Sequence, residues 1–367
     1  MISISGWVMS RDIPVVRIED GLVTSVDSNL APLYFLHFKD FTAWLESRAI
    51  DSHRTNSRLL KKALRLANKD DASTVLAVNA VTITDNYWFK KDGEDLTWSD
   101  VKFSENYFDM LALRGDPDSF SNKPSRTPEL TNTGSFEKCW RLIDGKWWMF
   151  KSGNDNEYFS ELFICRLCKA LNFNVAEYQY DEDGYVKTLD FTNGAEINFE
   201  HISSVLGDNE EYEESFEYLL SLSEEIAKDY LRLIYTDTLC YNMDRHTSNY
   251  GLIRDAETGK ILSLAPNYDN NIALISRGYP SDVTRQKDGI IKLFTEFLGD
   301  NSTALDLFCD LGLPTISEDI INHCLDEVSI PVDRQFIIDF ILNGQDIIRH
   351  FISEQGIDES DGIIPSL

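Results

Sequence analysis

Basic charge is what this sequence has least of. Thirty-four Lys and Arg face 62 Asp and Glu, a formal net charge of −28 over 367 residues. Such a surface repels phosphate backbones, so direct nucleic-acid binding is not expected and an anionic membrane face is disfavoured. It favours basic protein partners, or small anions that bring their own divalent cation. Also lacking is any apolar run of about 18 residues, so no transmembrane helix and no membrane association are expected. The opening "MISISGWVMSRDIPVVRIEDG" has no basic region leading into an apolar core, and a secretory leader is not expected. Cysteine is scarce, with six at 139, 165, 168, 240, 309 and 324. Cys165 and Cys168 form a C-x-x-C inside "ELFICRLCKAL", an amphipathic pattern in which they read as small packing residues. No His or further Cys stands at zinc-like spacing beside them. The six His (37, 53, 201, 246, 323 and 350) form no metal pair, and no Cys–His–Asp series suggests a hydrolase. A reducing, cytoplasmic setting fits. Internal repeats and low-complexity tracts are absent.

What is present is an ordinary folding composition, 43% apolar and 12% aromatic, which argues against disorder. The length suggests about two to three domains or subdomains. Residues 1–120 mix β-rich stretches with one basic helix candidate, "SRLLKKALRLANKDD", and read as an α/β subdomain of unassigned role. Residues 114–134 are rich in Pro, Ser, Asp and Asn and mark the best internal boundary. Over 121–190, "FEKCWRLI", the turn "DGK" and "WWMFKSG" read as a hairpin. A helix over 157–172 follows, then a second hairpin, "NVAEYQY", "DEDG", "YVKTLDF". Strand, strand, helix, strand, strand is an α+β order with an antiparallel sheet, not alternating βαβ.

Residues 191–355 read as mainly helical. Leu219, Leu220, Ile226, Tyr230, Leu233, Ile234 and Leu239 recur at steps of three and four, predicting one continuous helix through "SFEYLLSLSEEIAKDYLRLIYTDTLCYN". The acidic stretch before it, "GDNEEYEESFEY", reads as a solvated helix start. "YGLIRDAETGKILSLAPNYD" reads as two short strands around "ETGK", and 290–352 as further helices. The tail "DESDGIIPSL" reads as frayed.

Four features stand in one order. A Thr/Gly/Ser turn, "TNTGSFEK", precedes the first hairpin strand, and Lys151 ends the second. Glu161 lies in the helix that follows. Far downstream, "YNMDRHTSNYGLI" supplies Asp244 and Asn249, and "PNYDNN" supplies Asp269. Phosphoryl transfer from ATP needs this kit: a loop over the phosphates, a Lys held by a helix Glu, and oxygen ligands for Mg²⁺. It also needs a carboxylate to orient the attacking hydroxyl. Each element alone is weak. The turn has one Gly and no Walker spacing, Glu161 could face solvent, and Asp269 could be a turn former. Their concurrence in order carries the reading.

"N-x-D-R-H-x-x-N-x-G-L" followed by "APNYD" resembles the catalytic and metal segments of HipA-like serine/threonine kinases. Related wording occurs in phosphatidylinositol-3-kinase-like enzymes. "TGSFEKCW…WWMFKSG", the Glu161 helix and "VAEYQY…YVKTLDFT" resemble that family too, so the likeness spans about residues 125–350. It implies a two-lobed protein-kinase-like fold, with an antiparallel-sheet N-lobe, a mainly helical C-lobe and an extra N-terminal subdomain. It implies Asp244 as catalytic Asp, Asn249 and Asp269 as Mg²⁺ ligands, and Lys151 as the phosphate-gripping Lys with Glu161 its partner. Thr133, Gly134, Ser135, Phe136, Glu137 and Lys138 would form the phosphate loop. The strand with Lys187 and Leu189 would be the adenine-side hinge. His246 would touch phosphate or shape the loop by a structural hydrogen bond, and Arg245 would anchor it. Asn270 and Asn271 stand where Phe-Gly follows the metal Asp of ordinary protein kinases. Such kinases commonly act as toxins paired with a small DNA-binding antitoxin, and some autophosphorylate on the phosphate loop, where Thr131, Thr133 and Ser135 flank Gly134. The expectation is an ATP- and Mg²⁺-dependent kinase acting on a protein Ser or Thr. A lipid or small-molecule kinase and a nucleotide-binding pseudokinase are the alternatives.

Overall fold

The computed structural model describes residues 4–54, 56–116 and 125–355. The centre of the expected 114–134 loop and the expected frayed tail lie outside these residues. The chain divides into two compact units. One holds residues 1–153, 177–207 and 251–265; the other holds 154–176, 208–250 and 266–367.

The first unit carries every strand found among the described residues. Strands β1 (Gly6–Ser10), β2 (Ile13–Glu19), β3 (Leu22–Val26) and β4 (Tyr87–Lys91) form an antiparallel sheet of order β3-β2-β1-β4. Its core gathers Val8, Val16, Ile18, Phe35, Trp44 and Phe89. A second antiparallel sheet, β5-β6-β8-β7, is built from β5 (Lys138–Ile143), β6 (Lys146–Lys151), β7 (Tyr178–Tyr180) and β8 (Val186–Leu189). Its first hairpin turns at Asp144 and Gly145, both at positive φ (50° and 76°). That is the backbone a two-residue type I′ turn demands, and Asp-Gly supplies it cheaply. Strands β9 (Ile197–His201), β10 (Gly251–Asp255) and β11 (Ile261–Leu264) form the third sheet, ordered β11-β10-β9.

A buried charge cluster joins this third sheet to the N-terminal residues. Glu200 accepts from Arg254 Nη1 (2.5 Å), Tyr87 OH (3.1 Å) and Leu33 N (2.6 Å). Residues 1–120 are thus integral to the first unit rather than appended to it. They are also more helical than their β-rich composition suggests, with short helices at Leu33–His37, Phe41–Glu46, Ser57–Ala63, Asp71–Leu76, Trp98–Val101 and Asp109–Arg114. The basic candidate "SRLLKKALRLANKDD" is helical only to Ala63, and Arg65 turns out of it at φ 61°.

The second unit is helical: Asp155–Ala170, Tyr212–Leu222, Glu224–Leu239, Gly289–Asp300, Ser302–Asp310, Glu318–Asp326 and Arg334–Glu354. The Asp155–Ala170 helix starts in a capping box. Asn154 accepts from the Glu157 N–H while Glu157 accepts from the Asn154 N–H, satisfying donors that the first turn leaves orphaned. The continuous helix expected after 212 is instead two. Ser223 is extended (φ −173°, ψ 146°) and its hydroxyl accepts from the Ile226 N–H, capping the second helix. The apolar steps run unbroken across Ser223, so periodicity alone could not show the break. Cys165 and Cys168 are buried thiols, and burial pushes the Cys168 thiol up to about 12, consistent with packing rather than redox chemistry. No helix among the described residues is long and apolar enough to cross a membrane.

Candidate active site

The polar loop after the Glu224–Leu239 helix is organised by one side chain, Arg245. Its guanidinium is almost wholly enclosed (4% exposed) beside Asp237 (1%). Nε and Nη2 donate to the two Asp237 carboxylate oxygens at 2.8 and 2.9 Å. Nη2 also reaches Asn267 Oδ1 (3.0 Å) and Asn270 Oδ1 (2.8 Å). Nη1 donates to two backbone carbonyls, Asn249 at 2.6 Å and Tyr268 at 2.8 Å. A planar five-donor fork can serve so many acceptors at once, where a point ammonium could not. Burial alone would lower the Arg245 pKa, but the field and hydrogen bonds of Asp237 outweigh it, and the group is held above its ordinary value.

The consequence is geometric. Residues 249 and 268, far apart in sequence, hang from a single guanidinium nitrogen, which brings Asn249 and Asp269 into one neighbourhood. Within the loop, Asn249 Nδ2 donates to Asp244 O (2.8 Å) and the Asn249 N–H to His246 O (2.8 Å). The amide is therefore oriented, with Oδ1 as its acceptor. Tyr268 OH donates to Ser248 O (3.1 Å), a second tie between the segments. His246 Nδ1 accepts from the Ser248 N–H at 3.2 Å, a loop-shaping bond.

Asp269 sits in the left-handed region at φ 59°, which Asp tolerates better than most residues. The next residue is held from the Asp155–Ala170 helix: Asn270 N–H donates to Glu161 Oε2 at 3.0 Å. Glu161 is buried, not solvated. Ser160 Oγ adds a bond to Ala273 O (2.7 Å), and Asn267 bridges to Val175, with its carbonyl accepting from Ala176 N. The segment bearing Asp269 is thus pinned from three sides. Asp244 is exposed, yet partial desolvation first, and then the negative charge of Asp269, raises its carboxyl above the usual range. The charge of Asp269 thus bears on Asp244. Asn249 Oδ1 and the Asp269 carboxylate are hard oxygen donors, the type Mg²⁺ takes together with waters and substrate phosphates.

In the first unit, Lys151 stands opposite Lys138 and Val186 across β5, β6 and β8, while Phe150 faces Lys187 and Trp148 faces Leu189. Paired residues share a face, so Lys151 and Lys138 lie on one side of the sheet and Lys187 and Leu189 on the other. Contacts agree. Lys151 Nζ lies 5.6 Å from the Tyr178 ring centre, whereas Lys187 binds Asp181 at 2.9 Å over Trp148. The side chains of Lys187 and Leu189 therefore do not meet Lys151, and the Leu189 N–H is committed to Glu177 O (3.1 Å). The expected phosphate loop is an irregular bend between Thr133 and Glu137, ending on Lys138. Gly134 takes φ 96°, and a Cβ there would meet Lys138 Nζ at 2.4 Å. Glu137 O accepts from Ser152 N (2.8 Å), tying the bend to the end of β6. Phe136 is half-buried; Gly134 and Ser135 are exposed. Thr131 is buried with its hydroxyl on Val81 O (2.6 Å).

Sequence reasoning missed two supports. Asp237 is a carboxylate on the buried face of a helix, set one turn beyond Leu233 and Ile234, and that placement was its only signal. Behind the bend, Glu129 is fully buried. It accepts from Trp140 N (2.6 Å), Asn106 (2.9 Å) and Asn132 (3.0 Å), with Arg54 at 3.7 Å. Burial pushes its carboxyl up to about 7 against the pull of Arg54.

Antiparallel sheets with a separate helical unit define an α+β chain, and its polar loop is laced to a second polar segment. The profile of the HipA-like C-terminal domain matches residues 134–329. That is more than half of the chain, which belongs to this family. No curated protein sequence matches it. Among solved structures it is similar to HipA of the Shewanella oneidensis MR-1 toxin–antitoxin system, seen with HipB and operator DNA. Identity is 15%, TM-score 0.55, with 96% of this chain and all of that one covered. It is also similar to the Helicobacter pylori proinflammatory kinase CtkA, at 16% identity and TM-score 0.44 over 60% of this chain and 95% of that one.

Proposed function

We propose that this chain is a two-lobed HipA-like protein kinase that transfers the γ-phosphoryl group of ATP to a protein Ser or Thr hydroxyl. The observation that carries the reading is the suspension of the Asn249 and Tyr268 carbonyls from one Arg245 nitrogen. It supports reading Asp244, Asn249 and Asp269 as the carboxylate, amide and second carboxylate that phosphoryl transfer needs. Asp244 orients the acceptor hydroxyl and takes its proton. The hydroxyl oxygen bonds to the γ-phosphorus as the β–γ bridging oxygen departs with ADP. Asn249 and Asp269 would hold Mg²⁺, which neutralises phosphate charge. Lys151 and the Thr133–Lys138 bend would hold the phosphates, with Glu161 as the partner the family resemblance gives Lys151. The β8 strand with Lys187 and Leu189 would serve as the adenine-side hinge through its backbone.

Exposure of Ser135 and enclosure of Thr131 favour Ser135 as the hydroxyl that self-modification would use. The HipB complex of the Shewanella relative supports proposing a small DNA-binding antitoxin as partner and a cytoplasmic setting. Labelled ATP with Mg²⁺ and a cell extract tests the reading. Wild type should label protein, and Asp269→Asn should not. Equal labelling by both, or label only in lipid or small molecules, would turn it down. Nucleotide binding without turnover would favour the pseudokinase.

A further inference from the structure

Beside the catalytic loop, wholly within the second unit, lies a cleft of about 480 Å³. Tyr241, Met243, Arg277, Tyr279, Lys287 and Phe340 are among its walls, and Met243 immediately precedes Asp244. The floor is rigid. Tyr279 meets Phe336 edge-on at 4.9 Å, Phe336 stacks on Phe340 at 5.5 Å, and Tyr241 meets Phe340 at 6.0 Å. Arg285 lies buried against Phe340, 4.3 Å from its ring centre. Its guanidinium closes the end of the Glu224–Leu239 helix through Leu239 O (2.6 Å) and Thr238 O (2.7 Å).

The charges in this cleft are unequal in availability. Asp288 gives one oxygen to Arg285 (2.6 Å) and the other to the Ile290 and Ile291 N–H groups. Asp282 gives its Oδ1 to Thr284 N and Oγ1. Arg277 and Lys287, by contrast, are exposed and make no side-chain hydrogen bond or ion pair among the described residues. On a chain of net charge −28, these two cations stand together at the rim of one cleft, next to the acceptor-orienting Asp. Met243 (53% exposed) and Tyr279 (45%) stand beside them as apolar surface. Arg277 is close enough for its charge to act on Asp244.

We propose that this cleft receives the acceptor as an extended protein segment, with acidic side chains flanking the Ser or Thr held by Arg277 and Lys287. The assignment rests on the kinase reading and names its substrate class. Nucleic acid would carry the same sign of charge, but it must also approach the rest of a strongly acidic surface; a short acidic peptide presents only its own few charges.

The test is a Ser-centred peptide array whose flanks are Asp/Glu, Gln or Lys/Arg, phosphorylated with Mg-ATP by wild type and by Arg277→Glu/Lys287→Glu. Wild type should prefer acidic over basic flanks by about tenfold in kcat/KM, the size of two rim ion pairs. The charge-reversed protein should prefer basic flanks, a gain that a misfolded variant cannot produce. Arg277→Gln/Lys287→Gln should flatten the preference. Phosphorylated peptides with no charge preference, or one that survives reversal, would overturn this proposal and leave the kinase reading standing. Transfer to small molecules alone, or to nucleic acid, would overturn it too. Absence of transfer to any acceptor would remove both.

Discussion

Replacing Arg245 with Ala is the sharpest perturbation of the site's architecture. The side chain is 4% exposed and its partner Asp237 1%, so truncation leaves a carboxylate enclosed with no counter-charge. Removing one member of such a buried pair costs about 3–5 kcal/mol. The bonds to Asn249, Tyr268, Asn267 and Asn270 are lost in the same stroke and should not be added separately, because they belong to one network. For a unit of this size that cost corresponds to a fall of about 10 °C in its unfolding midpoint. The two units can be watched independently. All seven Trp lie between Trp7 and Trp148, in the first unit, whereas far-UV circular dichroism is dominated by the helices of the second. In urea, Arg245→Ala should move the dichroism transition to lower concentration. Arg245→Lys keeps the charge but loses the fork; it should recover about half of the stability and little of the phosphotransfer. A dichroism midpoint within about 1 kcal/mol of wild type, with transfer retained, would refute the idea that Arg245 holds the loop and the Asp269 segment together.

Three further outcomes follow from single residues. Burial raises the Glu129 carboxyl from 4.5 to about 7, so its contribution to stability is complete below 4.5 and is lost as pH climbs through 7. Glu129→Gln should flatten the pH dependence of the Trp-fluorescence unfolding midpoint across that window, and an unchanged slope would contradict the assignment. Glu161→Ala strips the acceptor from the buried Asn270 N–H and should cost the second unit about 1–3 kcal/mol, while Glu161→Gln, which can still accept there, should cost less in the same urea titration. Gly134→Val forces a β-branched residue to positive φ at the phosphate bend, a strain of about 1–3 kcal/mol. Equilibrium ATP binding should weaken about tenfold or more, and unaltered binding would remove the bend from the nucleotide site.

Local chemistry was legible in the sequence; long-range ties were not. Asp144-Gly145 announced its hairpin because two positive φ angles are needed there and those residues supply them. "DRHTSN" stood out because a polar string between apolar segments needs partners, and Arg245 indeed anchors the loop. The break at Ser223 escaped because a capping Ser leaves the three- and four-residue apolar spacing intact. Asp237 escaped because a lone acid on a helix carries no label for the distant Arg it will meet. Strand register also decides what a list of residues cannot. One step along β6 and β8 puts Lys187 and Leu189 on the opposite face from Lys151.

Binding of ATP with and without Mg²⁺, in wild type, Asn249→Ala, Asp269→Asn and the double variant, bears most directly on the convergence of residues 249 and 269 upon one cation. Wild type should gain affinity on adding Mg²⁺, each single variant should lose that gain, and the double should lose no more than either. A wild type indifferent to Mg²⁺, or single variants that keep the gain, would contradict the account.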